Sequence, residues 1–178
     1  HDFDWLVQHI QKNEDVSVTN VTEDFGVLLI TGPLSRDVLS TLTETDLSNE
    51  SGFTWMRNRE ISVSGIPVRA LRVSYVGELG WELHCPMPRL GELHDALMQA
   101  GESHGIRRFG TYAMNSLRME KAYKGWGSEL TTEISLVESG MLRFARKSGG
   151  YIGADVVESK KQSGVSTHLV YCEVDTVD

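Results

Sequence analysis

The sequence predicts an α+β fold, in which short strands and amphipathic helices enclose one core. Three observations carry this prediction. Short runs of alternating or continuous apolar residues are bounded by glycine and proline, as in strands. Other stretches repeat apolar residues at intervals of three and four, as in helices that bury one face. The chain has 178 residues, 40% of them apolar and four of them tryptophan, which is enough to bury a substantial core.

The net charge and the cysteines exclude several classes of function. Seventeen Lys and Arg residues stand against 25 Asp and Glu, so a nucleic-acid or acidic-membrane surface is not expected. Cys85 and Cys172 are far apart and lack the spacing of a zinc site or a disulfide framework, which favours a reducing compartment. No run of 18 apolar residues and no basic-then-apolar leader occurs, so we expect neither a membrane span nor a signal peptide. The composition does not exclude a binding site for a small-molecule ligand.

The N-terminal third predicts two helices and two strands. Apolar residues at helical spacing from Phe3 to Ile10 predict a helix that ends near Lys12-Asn13. A short alternating strand is predicted over 16–21, and the apolar run from Phe25 to Ile30 predicts a central strand. A helix that begins at Pro33 is expected to end before the polar loop at residue 43.

The middle of the chain predicts a hairpin that leads into a glycine-rich turn. Residues 61–63 and 68–75 are expected to pair as strands, and residues 81–85 form a further strand. Between the last two strands, Gly77 and Gly80 permit positive φ or the close approach of another backbone or a flat ligand.

Two acids belong to this turn and the strand after it. Glu78 lies at the bend and Glu82 in the following strand, and both are acceptors that require partners. From spacing alone the alternative is a tight hairpin with solvated glutamates.

The C-terminal half predicts three helices and two weaker strands. The predicted helices cover residues 90–98, 110–126 and 154–161, and the predicted strands cover 141–146 and 167–174. Together with the earlier elements, this order predicts a ferredoxin-like βαββαβ core from about Phe25 to Gly105, with the helix after Gly110 packed on it and extra helices around it.

One stripe of the predicted helix over 110–126 is aromatic. Its members are Tyr112, Met119, Tyr123 and Trp126. Such stripes usually face a core, and we expect Tyr123 and Trp126 to be buried together with Met119; the alternative is a ligand pocket.

Searches for catalytic motifs exclude the common ones. The sequence contains no Gly-x-Ser-x-Gly elbow and no Walker loop, and Gly77-Glu78-Leu79-Gly80 lacks the third glycine and the helix of a dinucleotide fingerprint. His94 and His104 occupy polar positions and are not assigned to a site. The spacing of the residues alone therefore predicts an acidic α+β domain with a Gly-Glu turn and no particular activity.

Two long motifs resemble a known family. The stretch from Tyr75 to Glu82 and the stretch from Gly110 to Lys121, followed by Trp126-Gly127, resemble the folate-binding region of dimethylglycine and sarcosine dehydrogenases. That region is similar in turn to the glycine-cleavage aminomethyltransferase, or T-protein. Leu28-Leu29-Ile30-Thr31-Gly32-Pro33 resembles the family's strand and Gly-Pro signature. The resemblance runs over nearly the whole chain.

The resemblance implies a tetrahydrofolate site. By position, Glu82 is the glutamate that hydrogen-bonds the pterin ring in the family, and Glu78 is a turn residue behind it. The resemblance leaves two alternatives for Tyr75 and Trp81, which either pack around the ring or belong to the core. No catalytic residue is expected in this chain, because the family's catalytic aspartate lies upstream of the region that resembles residues 2–10.

The resemblance also implies a longer enzyme. FAD and the substrate pocket are expected in a domain outside this chain, which would contact that domain and a C-terminal barrel domain. We expect residues 1–24 to be the end of a preceding subdomain, 25–147 the folate-binding domain, and 148–178 an appendage. The isolated chain is expected to be inactive. The compartment is expected to be the cytoplasm in a bacterium and the mitochondrial matrix in a eukaryote.

Departures from the family pattern separate its branches. Met114 stands where the aminomethyltransferases have an arginine that binds the folate tail, which favours the dehydrogenase branch and leaves the tail contacts unassigned. Leu136 and Val76 replace a usual proline and threonine. The alternatives are an aminomethyltransferase and a non-catalytic folate-binding or structural module of the same fold.

Overall fold

The computed structural model describes residues 1–50, 52–145 and 149–175, which form five α-helices and four β-strands. The helices are α1 (Asp2–His9), α2 (Ser35–Ser40), α3 (Leu90–Gly101), α4 (Thr111–Glu120) and α5 (Ala154–Ser163). The strands are β1 (Phe25–Thr31), β2 (Asn58–Val63), β3 (Ile66–Leu71) and β4 (Gly80–Pro86). The chain divides into two compact units, His1–Gly110 and Thr111–Asp178, each of which is described by itself.

The first unit is built on an antiparallel sheet with the strand order β1-β4-β3-β2. The hairpin of β2 and β3 pairs Asn58 with Leu71 and Val63 with Ile66. β4 then pairs with β3 on one side and with β1 on the other. The α+β class and the predicted pairing of the two hairpin strands are therefore confirmed.

The core lies on one face of this sheet, under α2 and α3. Alternation in the strands turns every second side chain towards it, and the two helices add residues spaced three or four apart. The members with no exposed surface are Leu39, Phe53, Val63, Ile66, Ala70, Trp81, Leu83, Cys85 and Leu93. The predicted helix over 90–98 is confirmed and extends to Gly101.

The order of elements differs from the predicted βαββαβ core in one respect. From β1 to α3 the order is βαβββα, because β4 follows the hairpin directly and precedes α3. β3 ends at Leu71, so the predicted strand to Tyr75 is wrong over its last four residues, and residues 72–79 form a loop.

β1 is a strand, as predicted, but it lies at the edge of the sheet and not at its centre. A continuous apolar run is typical of a central strand that is buried on both faces. Only Gly26 and Ile30 are fully buried, whereas Phe25 and Val27 are 44% and 48% exposed. A run of apolar residues therefore did not distinguish one buried face from two.

The predicted strands outside the sheet are wrong. Residues 16–21 and 167–174 form no strand, and the described part of 141–146 contains a 3-10 turn, Leu142–Phe144; Arg146 lies outside the described residues. Most of residues 16–21 are exposed. Alternation cannot stabilise a strand that has no ladder partner and buries neither face.

The helices outside the core agree with prediction in position and less well in length. α5 is confirmed at residues 154–163. α1 is confirmed as a helix but ends at His9, before the predicted end near Lys12-Asn13, and α4 ends at Glu120, six residues early. Ala122 has φ of 54°, and Tyr123 N–H bonds to the Arg118 carbonyl, which closes the helix.

Packing of α4 on the first unit stays a prediction, as does the domain boundary at residue 24. The domain boundary at 147–148 lies outside the described residues.

Within the part that the structure describes, no helix is both long and apolar enough to cross a membrane.

Candidate functional site

Strand β4 has a different chemistry on each of its two faces. Trp81, Leu83 and Cys85 point into the core, and Glu82 and His84 alternate with them on the opposite face. The side chains of Glu82 and His84 are 35% and 31% exposed. We call this second face the open face, and its residues beside β4 are Val27 and Leu29 of β1 and Arg69 and Leu71 of β3.

Glu82 lies between two leucines on the open face. The register places Leu29 of β1 directly opposite it on one side and Leu71 of β3 on the other. Neither neighbour offers a polar side chain. Among the described residues no group donates a hydrogen bond to the Glu82 carboxylate, and the nearest basic atom is His84 Nε2 at 3.5 Å. A carboxylate that has lost part of its water without gaining a donor is poised to accept hydrogen bonds from a ligand.

This arrangement suits a flat, polar ring. A carboxylate accepts a pair of adjacent N–H donors through its two oxygens, and such charge-assisted pairs are strong and directional. The leucines on either side give the ring apolar surface against which to lie. Glu82 is therefore the sequence-predicted site residue that the structure places best for recognition.

Tyr75 and Glu78 lie in the loop of residues 72–79, which connects β3 to β4. Tyr75 is half-buried and Glu78 is exposed. Neither residue belongs to a strand of the sheet, so the structure does not place them in the cross-strand row of Glu82. Glu78 lies at the turn, as the sequence indicated.

The loop of residues 72–79 is fastened at its end. The Leu79 carbonyl accepts hydrogen bonds from Gly32 N–H at 2.8 Å, Ser35 Oγ at 3.0 Å and Thr31 Oγ1 at 3.2 Å. These donors come from the end of β1 and the start of α2. The turn that follows β1 therefore fixes where β4 begins.

The two glycines of the turn serve different purposes. Gly77 has φ of 76°, a conformation that favours glycine. At Gly80 an added Cβ would lie 2.7 Å from the Ile30 carbonyl oxygen, so the absence of a side chain lets β4 approach β1. The sequence predicted both properties for this pair without assigning them.

Trp81 belongs to the core, which is one of the two alternatives given for it above. Its ring has no exposed surface and lies edge-on to Phe53, with centroids 6.3 Å apart. The guanidinium carbons of Arg36 and Arg72 lie 5.9 and 5.8 Å from its centroid. Because Trp81 faces away from Glu82 on the same strand, the two side chains cannot contact one ligand on the open face.

The predicted burial of the aromatic stripe is wrong. Trp126 is 66% exposed, Tyr123 40% and Met119 43%, and Tyr112 is 95% exposed. The helix ends at Glu120, so the last two aromatic residues do not continue its face. Helical spacing beyond the true end of a helix predicts nothing about burial.

The buried polar centre of the second unit is Arg118, which is 4% exposed. Its Nη1 donates to Glu129 Oε2 at 2.7 Å and to the Tyr123 carbonyl at 2.9 Å. Its Nε and Nη2 donate to Asn115 Oδ1 at 2.8 and 2.6 Å. One guanidinium thus ties α4 to the segment that follows it.

Acidification is expected to weaken this centre. Burial by itself raises the pKa of Glu129, but hydrogen bonds from Gly125 N–H, Arg118 and Ser128 outweigh it and lower the pKa from 4.5 to about 2. A depressed folded-state pKa stabilises the fold above about pH 4.5, and this stabilisation is lost as the pH falls towards 2.

Thermal unfolding of the wild type and of Glu129→Gln, measured from pH 2 to 7, tests this expectation. The difference in melting temperature should be full above about pH 5 and shrink towards pH 2. Exposed Glu133, replaced by Gln, is the control. A difference that does not change with pH would contradict the prediction.

Sequence reasoning missed three residues of the open face. Leu29 and Leu71 could be recognised only from the strand register. For His84 a signal existed, because it lies two residues after Glu82 and period-two alternation puts both on one face. The leucines had no such signal, since their strands were not aligned with β4 from sequence.

Comparison with known proteins identifies relatives over the whole chain. The model of the GCVT N-terminal domain matches residues 1–148. Human dimethylglycine dehydrogenase, a mitochondrial protein, is 40% identical over an alignment 181 positions long, which covers 100% of this chain and 21% of that protein. Mitochondrial sarcosine dehydrogenase of Mus musculus is 38% identical over 157 residues, covering 86% of this chain and 17% of that protein.

A bacterial relative is an aminomethyltransferase. The protein of Listeria monocytogenes serotype 4a (strain HCC23) is 34% identical over 176 residues, covering 97% of this chain and 46% of that protein. The chain therefore spans about a fifth of the length of the dehydrogenase and under half that of the aminomethyltransferase.

Proposed function

Because this chain belongs to the GCVT N-terminal domain family, we propose that it binds tetrahydrofolate by the pterin ring and holds it ready to accept a one-carbon unit. The observation that carries the proposal is the Glu82 carboxylate. It is partly buried between Leu29 and Leu71, and no group in the described chain donates a hydrogen bond to it.

The chemistry of a pterin matches this carboxylate. The ring presents a cyclic amide N–H beside an exocyclic amine, so two donors face in one direction. Glu82 accepts both, and the ring then lies against apolar side chains of the neighbouring strands. Tyr75 is proposed as a further contact from the loop. Trp81 and Glu78 support the site by holding the strand and the turn.

We propose that the whole protein is an FAD-dependent oxidative demethylase of N-methylated glycines. Two relatives are dimethylglycine and sarcosine dehydrogenases, and this chain spans about a fifth of each. FAD would oxidise the N-methyl group, and it is assigned to a domain outside this sequence, which carries no dinucleotide fingerprint. The compartment follows from the source: the mitochondrial matrix in a eukaryote or the cytoplasm in a bacterium.

The residues of this chain bind and orient the folate, and the oxidation takes place in another domain. Glu82 fixes the plane and direction of the ring. The hydrogen bonds that the Leu79 carbonyl accepts from Thr31 and Ser35 keep β4 in register with β1. The open face excludes water from one side of the ring. An aminomethyltransferase would use the same site, but Met114 stands where that branch has arginine, which favours the demethylase.

The test follows the released carbon in the full-length enzyme. With substrate and tetrahydrofolate, carbon from an isotopically labelled N-methyl group should appear on folate; without folate it should appear as free formaldehyde at an unchanged rate of flavin reduction. The chain expressed alone should bind 5-formyltetrahydrofolate weakly and turn over nothing. Label that remains as formaldehyde at saturating folate would overturn the proposal.

A further inference from the structure

The open face contains a second polar group that the proposed function does not use. His84 lies two residues from Glu82 on the same face of β4, and its Nε2 is 3.5 Å from Glu82 Oε2. That nitrogen has no exposed surface, and none of the residues that the structure describes is its hydrogen-bond partner. A buried, unpartnered ring nitrogen beside an unpartnered carboxylate calls for an explanation.

The cross-strand neighbours of His84 offer it no acidic partner, so Glu82 is the acid beside it. Across the strands, His84 is opposite Val27 of β1, which is apolar, and Arg69 of β3. Arg69 is already paired, because its Nη2 donates to Glu60 Oε1 of β2 at 2.8 Å. Glu82 is therefore the one acidic side chain within ion-pair distance of His84 among the described residues.

A carboxylate has room for this partner and a ligand at once. Its two oxygens offer about four acceptor positions, and a paired donor from a ring occupies two of them. A donor at the remaining position of Oε2 leaves the outward positions free.

We propose that His84 is a positioning residue, whose Nε2–H holds the Glu82 carboxylate in the orientation that meets the pterin ring. This inference rests on the proposed function, and it adds a residue to that site. His84 acts through Glu82 and does not contact the reacting carbon. The present 3.5 Å separation shortens to a hydrogen bond when the ligand fixes the carboxylate.

The test compares two replacements of His84 in the full-length enzyme. His84→Phe keeps a flat ring without the donor, and His84→Gln keeps an N–H donor on a flexible side chain. Titration with 5-formyltetrahydrofolate should give about 5- to 10-fold weaker binding for the phenylalanine variant. The glutamine variant should recover most of the affinity, and flavin reduction by substrate should be unchanged in both.

His94 provides the matched control. It is 32% exposed, similar to His84, and has its own carboxylate partner, Asp95, at 2.9 Å on α3. His94→Phe should leave folate affinity unchanged. Melting temperatures within a few degrees of the wild type establish that each variant folds.

The outcomes separate the inference from the proposed function. If Glu82→Gln weakens binding and His84→Phe does not, the positioning role is wrong and the pterin site stands. Equal losses in the phenylalanine and glutamine variants would assign His84 to packing alone and would also overturn the inference. If Glu82→Gln itself has no effect, both the site and the inference fall.

Discussion

Replacement of Glu82 by glutamine is expected to weaken tetrahydrofolate binding by about 30- to 1000-fold, which is about 2 to 4 kcal/mol. The substitution keeps the size of the side chain and exchanges one acceptor oxygen for an NH2 group. That group would face a donor of the pterin, so one hydrogen bond becomes a contact between two donors. Because Leu29 and Leu71 flank the position, no neighbouring side chain replaces the lost acceptor.

Glu78→Gln is the matched control for this variant. Glu78 is exposed in the loop that precedes β4, outside the row of Glu82 and its leucines. We expect it to lose far less affinity. Both variants are titrated with 5-formyltetrahydrofolate in the full-length enzyme, while flavin reduction and transfer of carbon to folate are followed separately.

Carbon transfer should fall in the Glu82 variant while flavin reduction persists, since oxidation takes place at the other proposed site. Equal losses from both glutamates would remove the special role of Glu82. No loss from Glu82→Gln would remove the pterin assignment altogether.

Replacement of Arg118 by methionine is expected to destabilise the second unit by about 3 to 5 kcal/mol. The stem is kept and the guanidinium is lost. Glu129 then keeps a partly buried charge without its cation, Asn115 Oδ1 loses two donors and the Tyr123 carbonyl loses one. Since whole domains are stable by only about 5 to 15 kcal/mol, a loss of this size should be evident in any unfolding curve.

A double-mutant cycle distinguishes the ion pair from the packing of the stem. Urea unfolding is measured for Arg118→Met, Glu129→Gln and the double variant, with exposed Arg143→Met as a surface control. In the Glu129→Gln background the arginine change should destabilise less, because no uncompensated carboxylate remains. Strict additivity would contradict the proposed coupling.

The strands and helices of the core were predictable because their residues repeat with the period of the element. Alternation of Trp81 and Leu83 with Glu82 predicted the strand β4, and it left open whether Trp81 belongs to the core. The same reasoning found α3 and the hairpin of β2 and β3.

Other features depend on contacts between distant residues, and no periodic pattern in the sequence indicates such contacts. The Leu79 carbonyl is held by a backbone N–H and two hydroxyls that lie more than 40 positions earlier. Apolar content placed β1 in the middle of the sheet, but position in a sheet depends on which strands pair and not on composition alone. His84 carried a signal in sequence, and its partner became evident only from the distance to Glu82.

The strand order has a consequence for the newly made chain. β1 is complete at Thr31, but its ladder partner β4 begins at Gly80, so the ribosome must add about 50 further residues before the two can pair. Until then Phe-Gly-Val-Leu-Leu-Ile-Thr is an apolar segment with unsatisfied backbone on both sides, the kind of segment that chaperones bind and that nucleates aggregates. The hairpin of β2 and β3 closes locally in the meantime. β1 is thus the first strand of this sheet to be synthesised and must wait for β4 before it can enter the sheet, and it is vulnerable to aggregation during that interval.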